Sequence, residues 1–154
     1  MKPVLHRDVG RRLDRLLGAF PVVVVTGPRQ CGKTTMLQHD PRLRSRTYLT
    51  LDEFSVREDA TRDPETLLTR GERLTVDEVQ RVPDLLIAAK LAVDRDRTAG
   101  RFLFSGSANL ALQKNVAESL AGRAVYLELS PLSRRERRKD IDSRPNLLLW
   151  AENG

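Results

Sequence analysis

The run Val22-Val23-Val24-Val25, followed at once by Thr26-Gly27-Pro28-Arg29-Gln30-Cys31-Gly32-Lys33-Thr34-Thr35, constrains this chain more than any other stretch. Four β-branched residues without alternation predict a strand covered on both faces, and therefore a sheet with helices on each side. Gly27 to Thr34 fits G-x-x-x-x-G-K-[ST] at every fixed position, between a predicted strand and a predicted helix, which is the context the pattern needs. Glycines let successive backbone N–H groups turn inward around phosphate oxygens, and the start of the following helix adds positive potential. Lys33 supplies a mobile charge for the β and γ phosphates, and the Thr34 hydroxyl supplies an oxygen for Mg²⁺. Gly27, Pro28, Arg29, Gln30, Cys31, Gly32, Lys33, Thr34 and Thr35 are thus the expected binding loop, with ATP and Mg²⁺ as the expected cofactors. For the Cys31 side chain, packing of a small residue is preferred over a thiol activated by the helix start.

Alternating strand and helix patterns extend this reading along the chain. Val9, Leu13, Leu16 and Leu17 recur at helical spacing, with Gly18 as the stop. Thr34–Gln38 reads as a short helix ended by Asp40-Pro41, residues 46–51 as a strand, and Pro64–Arg70 as a helix closing at Gly71. Leu74–Val76 is a strand, and Pro83 opens a helix with Leu85, Leu86, Ala89 and Val93 inward and Lys90, Asp94 and Arg97 outward. Residues 101–105 and 124–129 read as two further strands, with a helical piece over 115–120 between them. Five strands separated by helices imply a mostly parallel sheet in an α/β fold.

The 154-residue length fits one domain, placed over residues 1–133. Residues 134–154 read as a basic C-terminal tail, partly disordered, with room for one basic helical turn. A net charge of +6, concentrated in Arg7–Arg15 and Arg134–Lys139, raises a nucleic-acid partner, although solvated helix faces are the plainer reading. One cysteine and two distant histidines exclude an internal disulfide and argue against a structural metal. No apolar run approaches the length of a membrane span or a signal peptide, so the expectation is a cytoplasmic protein with no membrane partner.

Hydrolysis needs more than a cradle: a second carboxylate to hold the metal and a group to orient water. Asp77 and Glu78, at the end of a predicted strand, provide both, Asp77 opposite Thr34 and Glu78 as general base. Ser105, Ser107 and Asn109 could face the γ-phosphate or the water, with a Ser/Gly turn as the plain alternative. Arg123 is a candidate to reach a neighbouring copy's γ-phosphate, with a plain surface arginine as the alternative.

Taken in order, GPRQCGKTT, LDE at 51–53, DPETLL at 63–68, VDEVQRVPDLL, FLFSGSANL and ESLAGRAVYLELSPLS resemble the bacterial and archaeal AAA-type P-loop ATPases. In that family the AAA domain is normally joined to a C-terminal domain of unknown function. The resemblance implies a three-layer ASCE-type P-loop fold with a five-stranded sheet flanked by helices, in which the strand ending at Ser105 lies between the P-loop strand and the Asp77 strand. It implies Lys33 and Thr34 on ATP and Mg²⁺, Asp77 and Glu78 as the Walker B pair, Ser107 near the sensor position, and Arg123 as a finger. Family members continue with a helical lid and a further domain, so the expectation is a core truncated after its last strand. An ATPase hydrolysing Mg-ATP is the leading reading. A regulatory or decayed ATP-binding module with little turnover is the alternative, as is a nucleic-acid-associated accessory protein. The partners expected are nucleotide, a second copy of the chain, or the missing domain in another chain.

Overall fold

A computed structural model describes residue 7, residues 9–107, residue 110 and residues 120–138. The expected helical piece over 115–120, the Asn109 site and the chain beyond 138 lie outside these residues, apart from Leu120. The elements run α1 (Gly10–Ala19), β1 (Val22–Thr26), α2 (Lys33–His39), β2 (Thr47–Thr50), α3 (Phe54–Arg62), α4 (Pro64–Leu67), β3 (Leu74–Asp77), α5 (Asp84–Arg95), β4 (Phe102–Ser105), β5 (Ala124–Glu128) and α6 (Arg134–Arg138). Short 3-10 turns occupy Pro41–Leu43 and Val79–Arg81.

The five strands form one parallel sheet in the order β2-β3-β4-β1-β5. β4 therefore lies between β1 and β3, as the family resemblance implies. The valine run fails to alternate because both faces of β1 are covered. Val22 and Val24 join Phe102, Phe104, Leu74 and Val76 in a core completed by α3, α4 and α5. Val23 and Val25 pack on the other side with Leu103, Leu127, Leu13 of α1, and Met36 and Leu37 of α2. The result is three layers with central strands that are buried throughout.

Two expected helix bounds change, and the basic turn expected in the tail is built into the fold. α1 continues through Gly18 to Ala19, because Phe20 N–H still finds the Leu16 carbonyl and the extended Phe20 ends the helix. The helix expected over 64–70 ends at Leu67. Asp63 starts it by accepting from Thr66 N–H, and the helix before it, α3, has no strong apolar stripe in the sequence to announce it. The one basic helical turn expected in the tail forms directly after Ser133. Ser133 and Glu136 form a reciprocal cap, Ser133 N–H donating to Glu136 Oε2 (2.7 Å) and Glu136 N–H to Ser133 Oγ (3.1 Å), which starts α6 and places Glu136 in a buried position. Among the described residues no helix is long and apolar enough to cross a membrane.

Candidate functional site

All five strands point their carboxyl ends the same way, so the loops after β1, β3 and β4 meet at one edge, the usual location of ligand sites in open α/β sheets. The loop after β1 folds as its glycines dictate. A Cβ on Gly27 would lie 2.3 Å from the Leu129 carbonyl oxygen, so only glycine lets the loop leave the strand against the end of β5. Gly32 has φ +92°, a left-handed conformation that starts α2 without steric cost. The Lys33 side chain turns back across the loop and donates to the carbonyls of Gly27 (3.1 Å) and Pro28 (3.0 Å) while only 7% exposed.

Asp77 closes β3 at 1% exposure and is saturated with donors. Its Oδ2 accepts from Thr34 Oγ1 (2.6 Å) and from the Tyr48 hydroxyl (3.0 Å). Its Oδ1 accepts from the Glu78 N–H (3.0 Å) and from the Ser105 hydroxyl. A buried carboxylate needs this much compensation, since an unpaired one would be strongly disfavoured. Burial, followed by the neighbouring Asp77 charge and hydrogen bond, pushes the Tyr48 phenol well above its ordinary pKa, so its proton stays on the oxygen and faces the carboxylate.

Glu78 follows with φ +59°, rare for a residue with a side chain, and this turns its carboxylate toward the cleft rather than along the strand. Gln80 holds it there, the carboxamide donating to Glu78 Oε2 and accepting the Ser107 N–H (3.4 Å). The cleft, about 750 Å³, is lined by Arg29, Gln30, Gly32, Lys33, Thr34, Thr35, Asp52, Glu78, Gln80, Arg81 and Ser107. Arg81 pairs with Asp52 (2.5 Å) on its rim.

Most of the residues singled out from sequence therefore converge, with four differences. Gly27 and Pro28 face Lys33 with their carbonyls and do not line the cleft. The Cys31 side chain is buried in the core with Val23, Val25 and Met36, away from the cleft. Ser105 is spent on Asp77 and has no exposed surface to offer a phosphate. Arg123 sits at the opposite edge of the sheet, level with the start of β1, roughly 16 Å along the strands from the P-loop at ~3.3 Å per residue. There its guanidinium makes two bonds to Asp94 (2.6 and 2.9 Å), so it does not serve its own chain's cleft. Tyr48, Gln80, Asp52 and Arg81 were missed. Tyr48 comes from a strand with no motif of its own, whereas Gln80, two residues after Glu78 in VDEVQ, was visible in the sequence.

Comparison with known proteins agrees with this geometry. Residues 19–137 match the profile of an AAA domain. The chain is similar to protein Rv2008c of Mycobacterium tuberculosis and protein Mb2031c of Mycobacterium bovis, 43% identical to each over 155 residues that cover 97% of this chain. It spans about a third (33%) of the length of those relatives. Among solved structures it is similar to the Walker-type ATPase PABY2304 of Pyrococcus abyssi, with 14% identity, a TM-score of 0.52, and coverage of 93% of this chain and 61% of that one. It is also similar to a Pif1 helicase solved for DNA unwinding at forked duplex DNA, with 16% identity, a TM-score of 0.52, and coverage of 99% and 48%. At these identities the structural likeness speaks to the fold, a P-loop NTPase sheet. On the match across residues 19–137, the chain belongs to the AAA domain family and is a nucleotide-binding module of ATPase type.

Proposed function

We propose that the chain binds Mg-ATP in the cleft after β1 and hydrolyses it. The observation that carries this is the pairing of Thr34 Oγ1 with Asp77 Oδ2 at 2.6 Å, beside a Lys33 ammonium that, among the described residues, two backbone carbonyls hold. Both halves fit the cofactor. The Thr34 and Asp77 oxygens are hard donors of the kind that would hold Mg²⁺. Neutral carbonyls give the ammonium no opposite charge, so phosphate oxygens, which carry one, can replace them. When bound, Mg²⁺ neutralises charge on the β and γ phosphates.

The chain's own residues do the rest. Gly32, Lys33 and Thr34 offer donors to phosphate at the start of α2. Glu78 is the general base, its carboxylate facing the same cleft and kept off the sheet by its left-handed backbone. Its present bond to Gln80 must give way to the attacking water. Ser107, which follows β4 at the cleft wall, senses the γ-phosphate through its hydroxyl. Arg123 acts on a neighbouring copy or not at all.

Calorimetry of Mg-ATP against wild type and Lys33→Ala tests binding: saturable binding abolished by the substitution is expected, and equal titrations would refute the site. Steady-state turnover of wild type and Glu78→Gln tests catalysis. A drop of on the order of 10² to 10⁴ is expected for loss of a general base. ATP binding with no turnover in either protein would leave a binding module and remove the hydrolase.

A further inference from the structure

Arg7 belongs to a basic run that reads as solvated in the sequence, yet its side chain is only 8% exposed. Each of its three donor nitrogens is spent on a different part of the fold. Nη1 donates to the Cys31 carbonyl of the P-loop (2.7 Å) and Nη2 to the Ser130 carbonyl just past β5 (2.5 Å). Nε donates to Glu136 Oε1 in α6 (2.9 Å). The other oxygen of the same carboxylate, Oε2, closes the cap of α6 by accepting the Ser133 N–H. One planar guanidinium thus ties together segments 24, 123 and 129 residues away, using the fixed fork of donors that a lysine ammonium lacks.

The bond to Cys31 has a specific effect on the phosphate loop. In a planar trans peptide the C=O and the following N–H point in opposite directions. Holding the Cys31 carbonyl on Arg7 therefore aims the Gly32 N–H away from Arg7. Arg7 lies directly over that turn, its Nη1 3.3 Å from where a Cβ on Gly32 would sit. The loop is also seated on the chain past β5 at Gly27, against the Leu129 carbonyl, and Leu129 N–H bonds the Thr26 carbonyl (2.7 Å).

We infer that Arg7 is a positioning residue for the phosphate loop, and that its pair with Glu136 couples nucleotide binding in the cleft to the docking of α6 at Ser133–Arg138. The inference rests on the nucleotide reading above. Coupling of this kind is reciprocal: if a docked α6 improves the loop for phosphate, bound nucleotide must hold α6 in place by the same factor. Whatever is joined to α6 would then feel, and influence, the occupancy of the cleft.

Two measurements test it. Calorimetry of Mg-ATP against wild type, Arg7→Lys and Glu136→Gln should show affinity about tenfold weaker in each variant, within the usual range of coupling between sites. The double variant should be no weaker than Arg7→Lys alone, because the Arg7–Glu136 link is already lost in that variant. Limited trypsin digestion of wild type reads the reverse direction, since Arg134, Arg137 and Arg138 are exposed substrates on α6. Saturating Mg-ATP should slow cleavage there about tenfold in wild type and leave it unchanged in Arg7→Lys. Variants with lowered melting temperature but wild-type affinity would make the guanidinium a purely structural clamp and overturn the inference. So would an ATP-bound wild type cleaved at α6 as fast as the free chain, a result that needs no variant to fold. Absence of ATP binding by wild type would instead remove the nucleotide reading itself, and the calorimetry distinguishes the two failures.

Discussion

At the amino ends of β2, β3 and β4 one guanidinium is buried among neutral acceptors; at the carboxyl ends of β1, β3 and β4 an ammonium and a carboxylate from different loops are both buried. Arg46, 9% exposed, donates to the carbonyls of Gly100 (2.6 Å), Leu74 (2.7 Å) and Arg101 (3.3 Å) and to Thr75 Oγ1 (2.9 Å). Burial first, and the charge of Arg73 second, pulls its pKa down to about 10, and among the described residues its donors go to three backbone carbonyls and the buried Thr75 hydroxyl. Lys33 and Asp77 are as deeply buried, but Lys33 rests on two carbonyls and Asp77 shares an oxygen with the exposed Thr34. Buried charge at the amino end locks strand starts together. At the carboxyl end the partners are ones that a ligand with phosphate oxygens and a divalent cation can exchange.

Substitution of each cation in turn would break that contrast if it is wrong. Arg46→Met strands several buried carbonyls and should cost about 3 kcal/mol, at ~1–3 kcal/mol for an unsatisfied buried group without full additivity. For a chain of this size that lowers the melting temperature by roughly 6–12 °C. Mg-ATP affinity should stay within twofold. Lys33→Met should do the reverse, abolishing binding while moving the melting temperature by no more than about 3 °C, in line with loss of a single modest bond pair. Calorimetry in its scanning and titrating forms reads both, and equal stability losses at the two positions would erase the distinction between a locked charge and an exchangeable one.

Gln80 sharpens the carboxyl end further. Its carboxamide fixes Glu78 on one side and meets the Ser107 N–H on the other, and a Cβ on Gly106 would lie 2.6 Å from its oxygen. Gln80→Ala should lower kcat on the order of tenfold, an ordinary consequence of a misplaced catalytic group, with Mg-ATP affinity unchanged. Stopped turnover and titration of the same preparation separate the two quantities. A fall in affinity with kcat preserved would move Gln80 from orienting the base to holding nucleotide.

Tyr48 links the two ends through β2. Loss of its hydroxyl in Tyr48→Phe removes one of four donors to Asp77 and should cost about 1 kcal/mol near neutral pH. The pH dependence has a definite sign. The folded pKa is raised above the unfolded value of 10.0, so the contribution is complete below pH 10.0 and disappears as pH climbs from there toward the folded pKa. Denaturant melts of both proteins at pH 7 and above pH 10 should therefore converge at the alkaline end. A constant difference across that range would mean that the phenol does not owe its shifted proton to the fold.

Much of this was legible in the sequence because it is carried by local patterns. The valine run and G-x-x-x-x-G-K-[ST] fix a strand, a turn and a helix start within a dozen residues, and Asp77-Glu78 needed only a strand end to be placed. What escaped depends on contacts between distant segments. Arg7 looks like any other arginine in a basic run until α6 and the P-loop are brought to it, and Tyr48 looks like a sheet residue until β3 sets Asp77 beside it. The capping box Ser133-x-x-Glu136 was available in the sequence but was submerged in a stretch read by its charge. Arg46 was taken only as the first residue of a strand, since nothing local distinguishes an arginine that will be buried under carbonyls from one that will be solvated.

The smallest effect on the folded chain belongs to Arg123. Its pair with Asp94 lies on the surface at the amino edge of the sheet, where water and salt screen it, so Arg123→Ala should leave both melting temperature and Mg-ATP affinity unmoved. Distance from its own P-loop leaves one catalytic role, on the nucleotide of a second copy, and that role has a concentration signature. Turnover per chain should rise with chain concentration in the wild type as copies meet, and Arg123→Ala should flatten that rise while matching wild type at high dilution. Rates that stay equal at every concentration would assign Arg123 to its bond with Asp94 alone, and the cleft would have to complete its chemistry with the groups at the carboxyl end of its own sheet.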